Sequence, residues 1–195
     1  MFLRIQGSVM AKYLILMASK GGSGKSVLCK QIARELYRTG YKVNGQDYDP
    51  QQHYAQFVEV NNAIFSFNGE ADFTIVDTQG AHTQTNIDIM QGMKNEDALF
   101  IIPFMPTDDD YKEALKMRDR LKEFGLLDNA IFVANRCYRE NDKDVKDFKQ
   151  RLSTTVNVAK SVFVNRKAYA KEPDSKVINE ISRFLNEVVV NGSTN

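Results

Sequence analysis

Tryptophan is absent from these 195 residues, and histidine and cysteine occur only twice each. The cysteines, Cys29 and Cys137, lie far apart and in no ligand spacing. That argues against a disulfide framework and leaves no cysteine pair for an iron–sulfur or zinc centre. No apolar run approaches the ~20 residues that a membrane-spanning helix needs. The opening Met1-Phe2-Leu3-Arg4-Ile5 is too short for a secretory signal and has no cleavage pattern, so a cytoplasmic protein is expected. Neither charge sign dominates: 26 basic residues face 25 acidic ones, and a net charge of +1 neither supports nor excludes a nucleic-acid partner. Repeats and low-complexity tracts are also missing. What remains is an ordinary globular composition, 43% hydrophobic and 26% charged, at a length that suits one core. Met10 directly precedes the first strand signal, which sets residues 1–9 apart as an extension of a single domain spanning 10–192.

The stretch that organises the chain is Lys20-Gly21-Gly22-Ser23-Gly24-Lys25-Ser26. An apolar run, Tyr13 to Ala18, precedes it, and an amphipathic pattern from Lys25 to Arg38 follows, with Leu28, Ile32 and Leu36 on one face and Gly40 as its stop. Strand, glycine-rich loop and helix are the context a phosphate-binding loop requires. Glycines let the backbone turn its N–H groups inward, and the positive end of the new helix faces the same point. Lys25 would meet the β- and γ-phosphates, and the Ser26 hydroxyl is placed to ligate Mg²⁺. Gly21 to Val27 are therefore expected to contact nucleotide.

Further carboxylates close later strands. A compositionally weak strand at residues 41–46 ends in Asp47-Tyr48-Asp49-Pro50-Gln51, where the alternation points both carboxylates the same way. Such groups beside a phosphate loop can hold Mg²⁺-bound water or orient the attacking water. A short helix is expected within 51–70, with a turn at Asn68-Gly69-Glu70. Phe73 to Val76 runs into Asp77-Thr78-Gln79-Gly80, a Walker B pattern whose aspartate reaches Mg²⁺. Gly80 could add a backbone N–H near the γ-phosphate. The run Ala98–Ile102 reads as a buried parallel strand. Thr107 or Asp108 caps the helix after it, with Asp109 and Asp110 favouring its dipole rather than a metal. Ala130–Ala134 forms the next strand and ends in Asn135-Arg136, a charged helix covers Lys143–Leu152, Val162–Val164 is a last short strand, and a final helix spans Lys176–Val190. Strands alternating with helices, with the phosphate loop after the first, predict a three-layer, doubly wound, mostly parallel α/β sheet of the P-loop NTPase type.

Lys20 is superfluous to an ordinary phosphate loop. With it, KGGxGKS resembles the deviant Walker A motif of the ParA/MinD family of dimerising ATPases, and DxDPQ is similar to that family's second signature. The resemblance covers about residues 12–190 and, with no helix-turn-helix before the loop, is similar to the small, ParF-like partition ATPases or the related ATPases of plasmid stability and conjugative-transfer operons. It implies ATP and Mg²⁺ as cofactors and a homodimer joined by ATP, in which Lys20 crosses to the partner's nucleotide. Lys25 binds phosphate, Asp49 positions the hydrolytic water, and Asp47 lies nearer the metal's water shell with Ser26 and Asp77. Asn135 and Arg136 fall at the family's base-contacting position. It implies slow turnover, stimulated by a small ParB-like DNA-binding protein, and a role in plasmid or DNA partition. Gln79 replaces the family's usual proline. Non-specific DNA is a candidate partner through Arg136, Arg139, Lys143, Lys146, Lys149 and Arg151, and would bring nucleoid association. The acidic residues among them make a solvated helix face an equal reading. The final helix carries Glu180 and Glu187 instead of the basic amphipathic face a membrane anchor needs. Alternatives are a plasmid stability or conjugation ATPase, a MinD-like positioning ATPase, a small-molecule ligase or kinase on the same scaffold, and a nucleotide-gated module without hydrolysis.

Overall fold

The computed structural model describes residues 12–67 and 71–190. The extension at 1–9, the turn at 68–70 and the polar end after residue 190 lie outside the described residues. Within them, β1 (Tyr13–Leu16), β2 (Val43–Asp47), β3 (Phe73–Asp77), β4 (Ala98–Phe104), β5 (Ala130–Cys137) and β6 (Val158–Val164) form a six-stranded sheet in the order β2-β3-β1-β4-β5-β6. Every pairing is parallel.

Side-chain alternation explains the layers. Along β1, Leu14 and Leu16 face one side, and Ile15 faces the other with Met17 just beyond. The first side packs against α1 (Lys25–Arg38), α2 (His53–Val60) and α6 (Ser175–Leu185); the second packs against α3 (Gln84–Gly92), α4 (Asp108–Glu123) and α5 (Lys143–Ser153). Burial on both faces is why the central strands read as unbroken apolar runs. Each fully buried Phe or Leu, such as Phe100 or Leu16, contributes about 1.5–3 kcal/mol.

Most boundaries fall where the pattern predicts. The exceptions are α3, a segment to which the sequence reading assigns no helix; β5, which runs on through Asn135 and Arg136 to Cys137; β6, which begins at Val158 instead of Val162; and the end of the last expected helix. There α6 stops at Leu185 and a π-helical turn, Asn186–Val190, follows. No helix among the described residues is long and apolar enough to cross a membrane. The order β3-β1-β4 places the reversal of winding direction beside β1, so the crevice for a ligand opens at the carboxyl ends of β1, β3 and β4.

Candidate phosphate-binding site

The loop after β1 arrives at α1 through Gly24, whose φ of 88° is left-handed. No side chain caps the helix, so its first N–H groups are left to a ligand. Gly24 has a second constraint: a Cβ there would stand 2.7 Å from Asn135 Nδ2. Asn135 crowds the loop because its amide donates to the Ser23 carbonyl at 2.7 Å, while its Oδ1 accepts from the Arg136 N–H at 2.9 Å. The residue expected to touch the base thus also braces the phosphate loop. Lys25 is buried at the start of α1, and burial lowers its pKa against the pull of Asp77 and Asp49.

Register brings the carboxylates level. Asp77 pairs with Leu16 on one side and Asp47 on the other, at the ends of three adjacent strands. Their environments then diverge. Asp77 is 0% exposed, and neither carboxylate oxygen has a hydrogen-bond partner. Burial pushes its pKa up to about 6; Ser26 lies near enough to ease the charge without a hydrogen bond of good geometry. An orphaned, buried carboxylate beside a serine hydroxyl is an oxygen donor set that suits Mg²⁺ completed by phosphates and water. No group of three or more His, Cys, Asp or Glu side chains among the described residues could hold a metal by itself.

Asp47 ends β2 level with Asp77, and backbone N–H groups occupy both of its oxygens. Its Oδ1 accepts from the Asp49 N–H, and its Oδ2 accepts from the N–H groups of Tyr54 and Ala55, all at 2.8–2.9 Å. It is the acceptor for the open first turn of α2, where Gln52 offers no side-chain cap. The carboxylate that fixes the Asp47–Gln51 loop is therefore Asp47. Asp49 commits one oxygen to the Gln51 N–H at 2.9 Å and is near enough to Lys25 to raise its pKa.

The loop after β3 is pressed against the phosphate loop. Thr78 donates to the Leu16 carbonyl, and Asn86 on α3 donates to the carbonyls of Gln79 and Ala81. Between these pins, a Cβ on Gly80 would lie 2.4 Å from the Lys20 carbonyl oxygen and 2.7 Å from Gly21. The obstructing atoms are backbone, so Gly80→Ala must push the two loops apart. We expect it to cost about 1–3 kcal/mol of stability, as overpacking does, and to weaken nucleotide binding at least tenfold. Thermal denaturation and ATP titration check both; wild-type affinity would show that the contact is dispensable.

Lys20 forms an ion pair that sequence reasoning missed. Its Nζ lies 2.9 Å from Asp110 Oδ2, in the first turn of α4. Ser19 donates to Glu113 one turn on, at 2.7 Å. Thr107 does cap α4, accepting from the Asp110 N–H, and its hydroxyl donates to the Asp110 carboxylate. The Thr107-x-x-Asp110 spacing announces a capping box. Nothing in it announces that the same carboxylate turns toward a lysine 90 positions earlier.

Beyond the phosphate loop, a cavity of about 190 Å³ opens between Val27, Leu28, Asn135, Arg136, Arg166 and Tyr169. Arg136 holds a left-handed φ of 54°, uncommon for a branchless cation and a sign that the end of β5 is bent to turn it. Of the basic stretch read as a DNA patch, Lys149 is committed to the Lys160 carbonyl and Arg151 stacks on Tyr111 and Phe148.

Residues 14–178 match the model of the CobQ/CobB/MinD/ParA nucleotide binding domain. A search of curated proteins finds no match. Among solved structures, the chain is similar to a putative plasmid partition protein from Borrelia burgdorferi bound to AMPPNP (15% identity, TM-score 0.67, covering 89% of this chain and 97% of that one). It is similar to the MinD cell division protein of Aquifex aeolicus (16%, TM-score 0.63, 92% and 98%). It is also similar to MinD from Pyrococcus horikoshii complexed with Mg-ADP (17%, TM-score 0.63, 92% and 96%). At these identities the structural likeness shows the fold.

Proposed function

The chain belongs to the CobQ/CobB/MinD/ParA nucleotide-binding domain family, and from that premise we propose that it is an Mg²⁺-dependent ATPase acting as a dimerising switch in plasmid or DNA partition. One observation carries this reading: the loop holds two lysines with different surroundings. Lys25 is buried beside Asp77, as a phosphate ligand should be, whereas Lys20 is partly exposed on an ion pair at the rim. With Lys25 placed for the chain's own phosphates, Lys20 at the rim is available to those of a second copy.

In this reading the N–H groups of residues 21–27 and the Lys25 ammonium hold the triphosphate, and Ser26 with Asp77 hold Mg²⁺. Mg²⁺ so held neutralises charge on the phosphate oxygens. Asp49, whose second carboxylate oxygen has no partner among the described residues, accepts a proton from the attacking water or orients it. Asp47 keeps Asp49 in position through its bond to the Asp49 N–H. Gly80, touching the Lys20 carbonyl, transmits the state of the γ-phosphate between the two loops. Asn135 and Arg136 meet the base. A DNA-binding activator would supply or order the group that makes turnover fast. The apolar face of α6 is spent on the protein's own core, with Val177, Ile181 and Phe184 buried, which supports a partner other than a membrane.

Sedimentation with ATP·Mg²⁺ against ADP·Mg²⁺, together with phosphate release, tests the proposal. We expect dimers with ATP alone and slow release. A monomer in both nucleotides would reduce the protein to a nucleotide binder, and absence of ATP binding would remove the reading altogether.

A further inference from the structure

We propose that Glu180 is a positioning residue for the nucleobase end of the site, so that the base pocket is held in shape from α6, far from the phosphate loop in sequence. This rests on the nucleotide-binding reading above and adds a residue to it.

The anomaly is in the helix pattern. Val177, Glu180, Ile181 and Phe184 occupy the i, i+3, i+4, i+7 stripe that α6 turns to the core, and Glu180 is only 4% exposed. A carboxylate in that stripe is a poor choice for stability, because an apolar side chain of similar size avoids the desolvation of a buried ion pair. Its contacts say what it gains. Oε2 accepts from the Val164 N–H at 3.1 Å and from the Tyr169 hydroxyl at 2.7 Å, and Oε1 accepts from Arg166 Nε at 3.0 Å and Nη2 at 2.9 Å. All three donors belong to the segment that walls the cavity opposite Val27 and Asn135. The same segment is held from the other side by Gln31 of α1, whose amide donates to the carbonyls of Tyr169 and Lys171 at 2.8 and 3.1 Å. Burial and the neighbouring Glu180 carboxylate both raise the Tyr169 pKa, so its hydroxyl stays a donor at all working pH.

The cavity suits one part of a ligand. At about 190 Å³ it is below the roughly 300–1,000 Å³ of a pocket for a whole drug-sized molecule. Its lining combines Val27, Leu28 and Tyr169 with the polar Asn135, Arg136 and Arg166. Apolar side chains and polar groups lining one small cavity suit a heteroaromatic ring. The phosphates are held elsewhere, by the loop that Asn135 braces. Glu180 therefore acts on the ring and leaves the phosphates alone.

The test compares ATP with inorganic tripolyphosphate, which lacks the nucleoside. Calorimetric titration of the full chain is run on wild type, Glu180→Gln and Tyr169→Phe, with circular dichroism as the check of folding. The amide keeps the shape of the carboxylate but turns an N–H₂ toward one of the three donors and gives Arg166 no counter-charge. We expect Glu180→Gln to weaken ATP about tenfold, the size of one charge-assisted hydrogen bond, with tripolyphosphate affinity unchanged. Tyr169→Phe removes a single donor and should lower the same ratio by a smaller factor; it decides the matter if the glutamine variant does not fold. Equal losses for both ligands would mark Glu180 as a structural residue only and overturn the inference, as would unchanged ATP affinity in either folded variant. A wild type that binds neither ligand overturns the nucleotide-binding reading itself, which separates the two failures.

Discussion

Replacing Asp77 with asparagine will stabilise the ligand-free protein and, on the proposed function, cut Mg²⁺-dependent turnover by about a hundredfold or more. The opposite signs come from one cause. Both Asp77 oxygens are buried without a partner, and the pKa rises from 3.8 to about 6, with burial as the first cause and Asp47 and Asp49 adding to it. Because the folded pKa exceeds the unfolded one, the native state binds more protons between pH 4 and 6. Stability therefore falls as pH rises through that window, and above it the loss is complete. At 1.36 kcal/mol per pH unit the loss is roughly 3 kcal/mol. Asparagine carries no charge to desolvate. Lys25 loses a counter-charge in the exchange, which takes back part of the gain. A net recovery of about 1–2 kcal/mol corresponds to a rise of about 2–8 °C in Tm for a chain of this size. The gain should be present at pH 8 and gone near pH 4. Phosphate release should drop by about a hundredfold or more, the scale of removing a group that stabilises transition-state charge. Thermal scans across pH and a phosphate assay check both halves; a variant less stable than wild type at pH 8 would show that Asp77 is satisfied in the native state.

The contrast between Asp77 and Asp47 marks where the sequence stops being informative. Local patterns carried the fold far: the α1 boundaries, the Thr107 cap, and the strands ending at Asp77 and near Asn135 follow from periodicity and capping chemistry. The strand β2 was readable only by position, because its shape rests on tertiary contact. A Cβ on Gly45 would lie 2.7 Å from Val58 and 3.1 Å from Phe65, so α2 packs directly on the strand where a larger side chain would hold it off. Asp47 and Asp49 of one motif also look alike in sequence. They differ because α2 needs an acceptor for its first turn and Asp47 is the one in reach. Asn135 and Glu180 belong to the same class. Each is a polar residue at a recognisable place whose partners come from elements remote in the chain, and no spacing rule records those partners. Family membership rests on the matched domain.

Lys20→Ala will abolish ATP-dependent dimerisation, and Asp110→Asn will promote it. The Lys20 side chain, 36% exposed, sets its ammonium on an Asp110 side chain that is 5% exposed. In the proposed dimer Lys20 reaches the nucleotide of the other copy, and a lysine engaged within its own chain cannot, so association on that proposal must first break this pair. With one partner half in solvent the pair is worth about 1 kcal/mol, the upper end for such bridges. A dimer breaks two of them, which makes roughly 2 kcal/mol, or about a thirtyfold change in the dimerisation constant. Asp110→Asn keeps an oxygen for the Thr107 hydroxyl and leaves the helix cap intact, so it isolates the charge. We expect the asparagine variant to dimerise at about a thirtieth of the wild-type protein concentration with a non-hydrolysable ATP analogue. The alanine variant should stay monomeric at every accessible concentration while binding nucleotide through Lys25 as before. Combining the two should reproduce Lys20→Ala, because freeing a side chain that is gone gains nothing. Analytical ultracentrifugation reads all three. If Lys20→Ala dimerises like the wild type, the second lysine is a surface charge; if Asp110→Asn leaves the threshold where it was, the ion pair is no lock on association.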